Sequence, residues 1–158
     1  MRVAIVMGST SDLGKMEPAI DILKSYGVKV DVRCLSAHRA HLGLSSFLEE
    51  TKTNGTEVII AAAGMAAALP GVVASQTVLP VIGVPIKTSA LGGLDSLLSI
   101  VQMPGGIPVA TTAINGAKNA ALIAAQIFAL TDKAVEEKLL AFRAKQTATV
   151  LAATLPEL

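Results

Sequence analysis

Between Glu57 and Lys87 the chain carries no charged residue, and between Lys87 and Lys118 its only one is Asp95. A tract of that length without charge has few physical outcomes: it crosses a membrane, or it is cut into buried pieces of a globular core. Gly64, Pro70, Gly71, Pro80 and Pro85 interrupt it, and Ser75-Gln76-Thr77 lies in its middle. The pieces are then too short to span a bilayer. A strand, a helix of small residues and a second strand, each buried on both faces, account for it better. A chain of 158 residues is the length of one domain and has limited means of covering so much uncharged surface alone. Burial against further copies of itself is the simplest remedy, and an obligate homo-oligomer is expected.

The rest of the chain alternates in the same way. Arg2–Met7 is a continuous apolar strand ended by Gly8, and Ser9-Thr10-Ser11-Asp12 supplies N-cap candidates for a helix over Leu13–Tyr26. Pro18 within that pattern implies a later start or a distorted first turn. A second strand over Val28–Leu35 precedes a helix over Leu42–Thr53, with Leu44, Phe47 and Leu48 on one side. Strands are predicted over Glu57–Ala62, Pro80–Ile86 and Ile107–Thr112, with helices over Val72–Thr77, Leu94–Val101 and Asn119–Leu130. A last amphipathic helix runs from Asp132 to Leu151. This order predicts an α/β fold of flavodoxin-like or Rossmann-like type, a three-layer sandwich around a parallel sheet of about five strands. The final helix lies beyond the alternation and is expected to pack on a neighbouring subunit.

The formal net charge is +1, aromatic residues are 3% and tryptophan is absent. Neither the charge excess nor the stacking surfaces that nucleic acid requires are present, and no nucleic-acid or membrane partner is expected. Cys34 is the one cysteine; it cannot form an internal disulfide, and inside a strand it is expected to be buried and inert. The N-terminus reads as a strand without the layout of a signal peptide, so the cytoplasm is the expected compartment.

In parallel α/β sheets ligands bind beyond the carboxyl ends of the strands, and three polar or small-residue loops fall there. Ser36-Ala37-His38-Arg39 brings together a hydroxyl, an imidazole suited to moving protons near neutral pH, and a guanidinium suited to holding an anion. The same histidine equally suits a helix cap. His41 lies nearby, but no Asp or Glu completes a metal set, and no metal is expected. Gly8-Ser9-Thr10-Ser11-Asp12 opens a helix, where backbone N–H groups and serine hydroxyls favour an anion; Asp12 would repel it but could accept from ribose hydroxyls. Ordinary capping by Ser11 or Asp12 explains the same residues. The glycine spacings of dinucleotide and nucleoside-triphosphate loops are absent. Ala63–Gly71 permits close approach of a ligand to backbone amides, or simply tight helix packing.

These loops, with Leu69-Pro70-Gly71, Pro80-Val81-Ile82-Gly83-Val84-Pro85 and the run from Asp95 to Thr111, resemble the N5-carboxyaminoimidazole ribonucleotide mutases of purine biosynthesis. This is the PurE family, also called phosphoribosylaminoimidazole carboxylase catalytic subunits. The motifs occur in order from Arg2 to Leu130. The resemblance implies one PurE-like domain over 1–158, with an α/β core to about residue 130 and a helical extension over about 132–152. It implies a cofactor-free isomerase that moves a carboxylate from the exocyclic nitrogen of a ribonucleotide to C4 of its imidazole. His38 would shuttle the proton. Ser9, Ser11, Ser36 and Arg39 would hold the phosphate and Asp12 the ribose. Ala37 belongs to the same substrate-binding set, and Gly64, Met65, Ala66, Ala68 and Leu69 would face the migrating carboxylate.

The family is an octamer with sites between subunits, and an ATP-dependent carboxyaminoimidazole ribonucleotide synthase is its expected functional partner. Where the family usually has a glycine and a histidine, this chain has Met65 and Ala68, and Ala40-His41 stands in place of Thr-Pro. These departures alter the carboxylate end of the pocket, where His41 is a candidate to restore polarity. Two rivals follow from the same residues. One is the related carboxylase that fixes CO2 directly on aminoimidazole ribonucleotide; its loop typically has lysine after the histidine, so Arg39 favours the mutase. The other is a non-catalytic nucleotide-binding paralogue.

Overall fold

The computed structural model describes residues 1–155. Five strands, β1 (Arg2–Met7), β2 (Lys29–Cys34), β3 (Val58–Gly64), β4 (Val81–Ile86) and β5 (Ala110–Thr111), form one all-parallel sheet in the order β2-β1-β3-β4-β5. Alternate residues of the central strands face opposite helical layers, as the two-residue pleat requires. Val3, Ile5, Val58, Ile60, Ile82 and Val84 pack against α1 (Leu13–Ser25), α5 (Ala117–Ala129) and the start of α6 (Lys133–Leu151). Ala4, Val6, Ile59, Ala61 and Val81 pack against α2 (His41–Thr51), α3 (Leu69–Ala74) and α4 (Leu94–Val101). The sheet with a helical layer on each face is the expected sandwich.

Small residues bring the layers close. Ala117, Ala120, Ala121, Ala124 and Ala125 on α5 are buried, and a Cβ on Gly83 would lie 2.5 Å from Ile100 Cγ2 and 2.9 Å from Val109 Cγ1. Glycine at 83 therefore lets α4 rest on β4.

Several boundaries differ from expectation, each for a physical reason. α1 runs from Leu13 through Pro18, giving up one i→i−4 bond because proline has no N–H. α3 begins at Leu69, with Pro70 in its first turn where the missing donor has no intrahelical partner to lose; the predicted start at Val72 was late. β5 shrinks from Ile107–Thr112 to Ala110–Thr111. Pro108 cannot donate to the ladder, and the edge of the sheet offers only one neighbour. Cys34 is exposed rather than buried, because β2 is the other edge strand and is only partly covered.

α6 is not the amphipathic helix expected. Asp132 caps it, accepting from the N–H groups of Ala134 and Val135. Val135 and Leu139 are buried, but Leu140, Val150 and Leu151 are exposed. The helix leaves its own core after its second turn. The uncharged tract also divides: β3 and β4 are buried, while Leu91, Leu94, Leu98 and Val101 form an exposed apolar strip on and beside α4.

Candidate active site

The connection from β1 to β2 crosses one face of the sheet and that from β2 to β3 the other, so a crevice opens between the carboxyl ends of β1 and β3. A cleft of about 700 Å3 occupies it. The ends of β1, β2, β3 and β4 all contribute to its lining, and among the candidate site residues Ser9, Ser11 and Asp12, Ser36, Ala37, His38 and Arg39, and Gly64, Met65, Ala66, Ala68 and Leu69 reach it, while His41 does not.

One side is polar. Ser9 caps a 3-10 turn over Thr10–Asp12, accepting from the Ser11 N–H at 3.3 Å, and the two serine hydroxyls lie 2.8 Å apart. The N-cap role therefore falls on Ser9 for this turn. Asp12 precedes α1 yet makes no side-chain capping bond. Its carboxyl group is buried where it lines the cleft. Burial pushes that carboxyl above its ordinary value, and the charge of Lys15 and the Ser11 hydroxyl pull it part of the way back. Arg39 spans two loops: its Nη2 donates to the Gly8 carbonyl at 2.9 Å, and its Nε reaches Ser36 Oγ at 3.4 Å. The guanidinium is thus oriented by the strand ends it links, and it remains exposed to a ligand. His38 is exposed beside it.

The other side is small and apolar. Gly64 ends β3 so closely against β4 that an added Cβ would lie 2.9 Å from Thr88 Cγ2 and 3.3 Å from the Ile86 carbonyl oxygen. Met65 adopts a left-handed backbone conformation, φ 58°, which costs a non-glycine residue about 1–2 kcal/mol. Its side chain is exposed, whereas Ala67 and Leu69 are buried. His41 opens α2, exposed, and does not line the cleft within its own chain, so it adds no polarity beside its own Ala68. Among the described residues, no group of at least three His, Cys, Asp and Glu side chains is placed to hold a metal.

Lys15, Lys87 and Thr88 also line the cleft and were missed in the sequence. Lys15 stands three residues after Asp12, the spacing that puts two side chains on one helical face. Lys87 and Thr88 follow the fourth strand, whose carboxyl end obeys the same rule as the other three.

The profile of the AIR carboxylase family matches residues 2–149. The chain belongs to this family. A relative from Thermotoga maritima is 51% identical over 150 residues, 95% of this chain and 88% of its own length. Another from Escherichia coli K12 is 53% identical over 152 residues, covering 95% and 90%. A third, from Pyrococcus horikoshii, is 56% identical over 137 residues, covering 87% and 77%. All three are N5-carboxyaminoimidazole ribonucleotide mutases. The crystal structure of Treponema denticola PurE superposes with a TM-score of 0.87 at 31% identity, covering 95% of this chain and 94% of that one. Family membership accounts for the parallel sheet, the strand-end loops and the final helix together.

Proposed function

We propose that this member of the AIR carboxylase family is an N5-carboxyaminoimidazole ribonucleotide mutase, acting in purine biosynthesis. The observation that carries the reading is the two-sided cleft: anion-binding groups and His38 on one side, a wall of small residues on the other. The ribose phosphate lies at Ser9, Ser11, Ser36 and Arg39, where hydroxyls and a guanidinium converge on the cleft. Asp12 accepts from the ribose hydroxyls, which returns to its buried carboxylate the hydrogen bonds it lost with water. Ala37 and the backbone of residues 64–69 close around the base and its carboxylate.

The chemistry then needs one proton carrier. The bond from the exocyclic nitrogen to the carboxyl carbon breaks, its electron pair stays on nitrogen, and protonated His38 delivers a proton there. CO2 remains beside the electron-rich ring. C4 attacks it, a carbon–carbon bond forms, and neutral His38 removes the C4 proton, which restores the ring and the enzyme. No redox step or cofactor enters. Arg39 contributes by fixing the phosphate and so the ring position.

Subunit association belongs to the same proposal. The Leu94–Leu98–Val101 strip and the departing half of α6 are apolar or solvent-facing surfaces that an octamer would cover, with α6 lying on a neighbour. A single PurE-like domain, a cytoplasmic location, and an ATP-dependent synthase as supplier of the carbamate complete it. No helix among the described residues is long and apolar enough to cross a membrane.

A substrate test separates the readings. Supplied with N5-carboxyaminoimidazole ribonucleotide, the protein forms the 4-carboxylate without added bicarbonate. Turnover only from aminoimidazole ribonucleotide at high CO2 would instead mark the direct carboxylase. Binding without product would mark the paralogue.

A further inference from the structure

Thr88 and Asp95 form a pair at the apolar wall whose role the reaction scheme above leaves open. Thr88 lines the cleft, and its two branches have different neighbours. Its Cγ2 methyl is the atom nearest to a Cβ built on Gly64, at 2.9 Å. Its hydroxyl donates to Asp95 Oδ2 at 3.5 Å. Asp95 sits in the first turn of α4 and is not part of the cleft lining. Its Oδ1 is buried and has no hydrogen-bond partner among the described residues.

An incompletely satisfied carboxylate is a poor way to stabilise a fold, since each buried unpaired oxygen carries a desolvation cost. It is a good way to choose a rotamer. Methyl and hydroxyl are nearly the same size, so sterics alone discriminate weakly between threonine rotamers that exchange them. A hydrogen bond to a carboxylate does discriminate.

We propose that Asp95 is a positioning residue that draws the Thr88 hydroxyl away from the cleft and leaves its methyl against Gly64. The inference rests on the mutase reading, in which CO2 must wait at this wall between the two half-reactions. CO2 has no donor to offer and no dipole. Water needs about two to four polar partners to settle in a cavity, and a hydroxyl turned inward at Gly64 would supply one. With the methyl presented, the wall beside Gly64 and Thr88 offers water one polar partner fewer, the nearby Ile86 carbonyl already accepting from the Ser96 hydroxyl, and CO2 is retained. With the hydroxyl presented, water enters and CO2 escapes. The product is then aminoimidazole ribonucleotide, formed by the first half-reaction with its nitrogen already protonated, in place of the 4-carboxylate.

The readout is the partition between those two products in a single turnover of N5-carboxyaminoimidazole ribonucleotide, corrected for decay without enzyme. Asp95→Ala should raise the escaping fraction about two- to fivefold, the effect of losing one long, weak ordering hydrogen bond. Thr88→Ser, which removes the methyl, should do the same. The double variant Thr88→Val with Asp95→Ala should return the partition toward that of the wild type, because no hydroxyl is left to restrain. A merely structural Asp95 predicts no such rescue. If Asp95→Ala does not fold, Thr88→Ser against Thr88→Val carries the test, with only the serine leaking. An unchanged partition in folded Asp95→Ala, or a double variant that leaks as much as Asp95→Ala, would overturn the positioning role while leaving the mutase intact. A wild-type protein that forms no 4-carboxylate would overturn the mutase reading and this proposal together.

Discussion

The two sides of the cleft solve different problems by different means. At the ends of β1 and β2, named side chains do the work: Asp12, His38 and Arg39 present charge, a titratable ring and fixed donors. At the ends of β3 and β4 shape dominates, Lys87 apart, with Gly64 pressed against Thr88 and alanines where larger groups would intrude. On the proposed reading, the first side recognises a phosphate and a ribose through hydrogen bonds, and the second retains CO2 by keeping competitors out. Substitutions on the first side should therefore change chemistry and affinity. Those on the second should change packing and product partition.

The largest expected effect comes from His38→Asn. It should lower turnover by about 10²–10⁴-fold, the usual span for a lost general acid–base, while substrate binding measured by calorimetry stays close to that of the wild type. Near-normal turnover would dissolve the contrast, since the polar side would then hold no reactive group. Arg39→Lys comes next. Lysine keeps the charge but cannot reach both Gly8 and a phosphate with a planar fork, so affinity should fall roughly tenfold with a smaller change in the chemical step.

On the apolar side, Gly64→Ala forces a Cβ to within 2.9 Å of Thr88 Cγ2 and 3.3 Å of the Ile86 carbonyl oxygen. The expected cost is about 1–3 kcal/mol of stability, read by denaturant melting, together with a shifted product partition. A variant that melted like the wild type would show that the wall is looser than its geometry.

Asp12→Asn sharpens the comparison in another way, by trading stability against binding. A carboxyl whose value is raised in the folded state makes the wild-type protein lose stability as pH rises through that value. The asparagine variant should then melt higher than the wild type near neutral pH, with the difference vanishing below the ordinary carboxyl value of 3.8, where both folded and unfolded chains are protonated. Binding should weaken in the same variant. An equal melting temperature at every pH would remove burial as the cause.

Met65→Gly should have the smallest effect. It relieves the left-handed backbone at φ 58°, worth about 1–2 kcal/mol, but adds chain entropy to the unfolded state. The net gain should stay below about 1 kcal/mol, measured by denaturant unfolding.

How much of this was legible beforehand depended on the kind of signal. The loop from Ser36 to Arg39 was readable because reactive side chains are rare in this chain and three stood together. Lys87 and Thr88 were not, although the strand before them was found, because nothing in a lysine–threonine pair announces a site. The β5 boundary failed at Pro108, where the apolar pattern continues but a backbone donor is missing. Pro70 misled in the opposite direction, as a proline in a first turn starts a helix as readily as it ends one. The departing half of α6 was expected to seek a neighbour, but its lack of an apolar face was not anticipated.

What residue order alone settled was the alternation of strands and helices, the polar loops at strand ends, and the long uncharged tract that had to be buried. Those follow from local periodicity and composition, which act over a few residues at a time. Tertiary structure decided the strand order, and with it the crevice between β1 and β3. It decided that only part of the uncharged tract is covered within one chain, with the α4 strip left outside. It also decided that Asp12 is buried without capping, that Arg39 reaches back across the chain to Gly8, and that Thr88 stands against Gly64 with Asp95 behind it. The Arg39–Gly8 and Thr88–Gly64 contacts join residues far apart in sequence, and the others depend on how the layers pack around them, which no local pattern encodes.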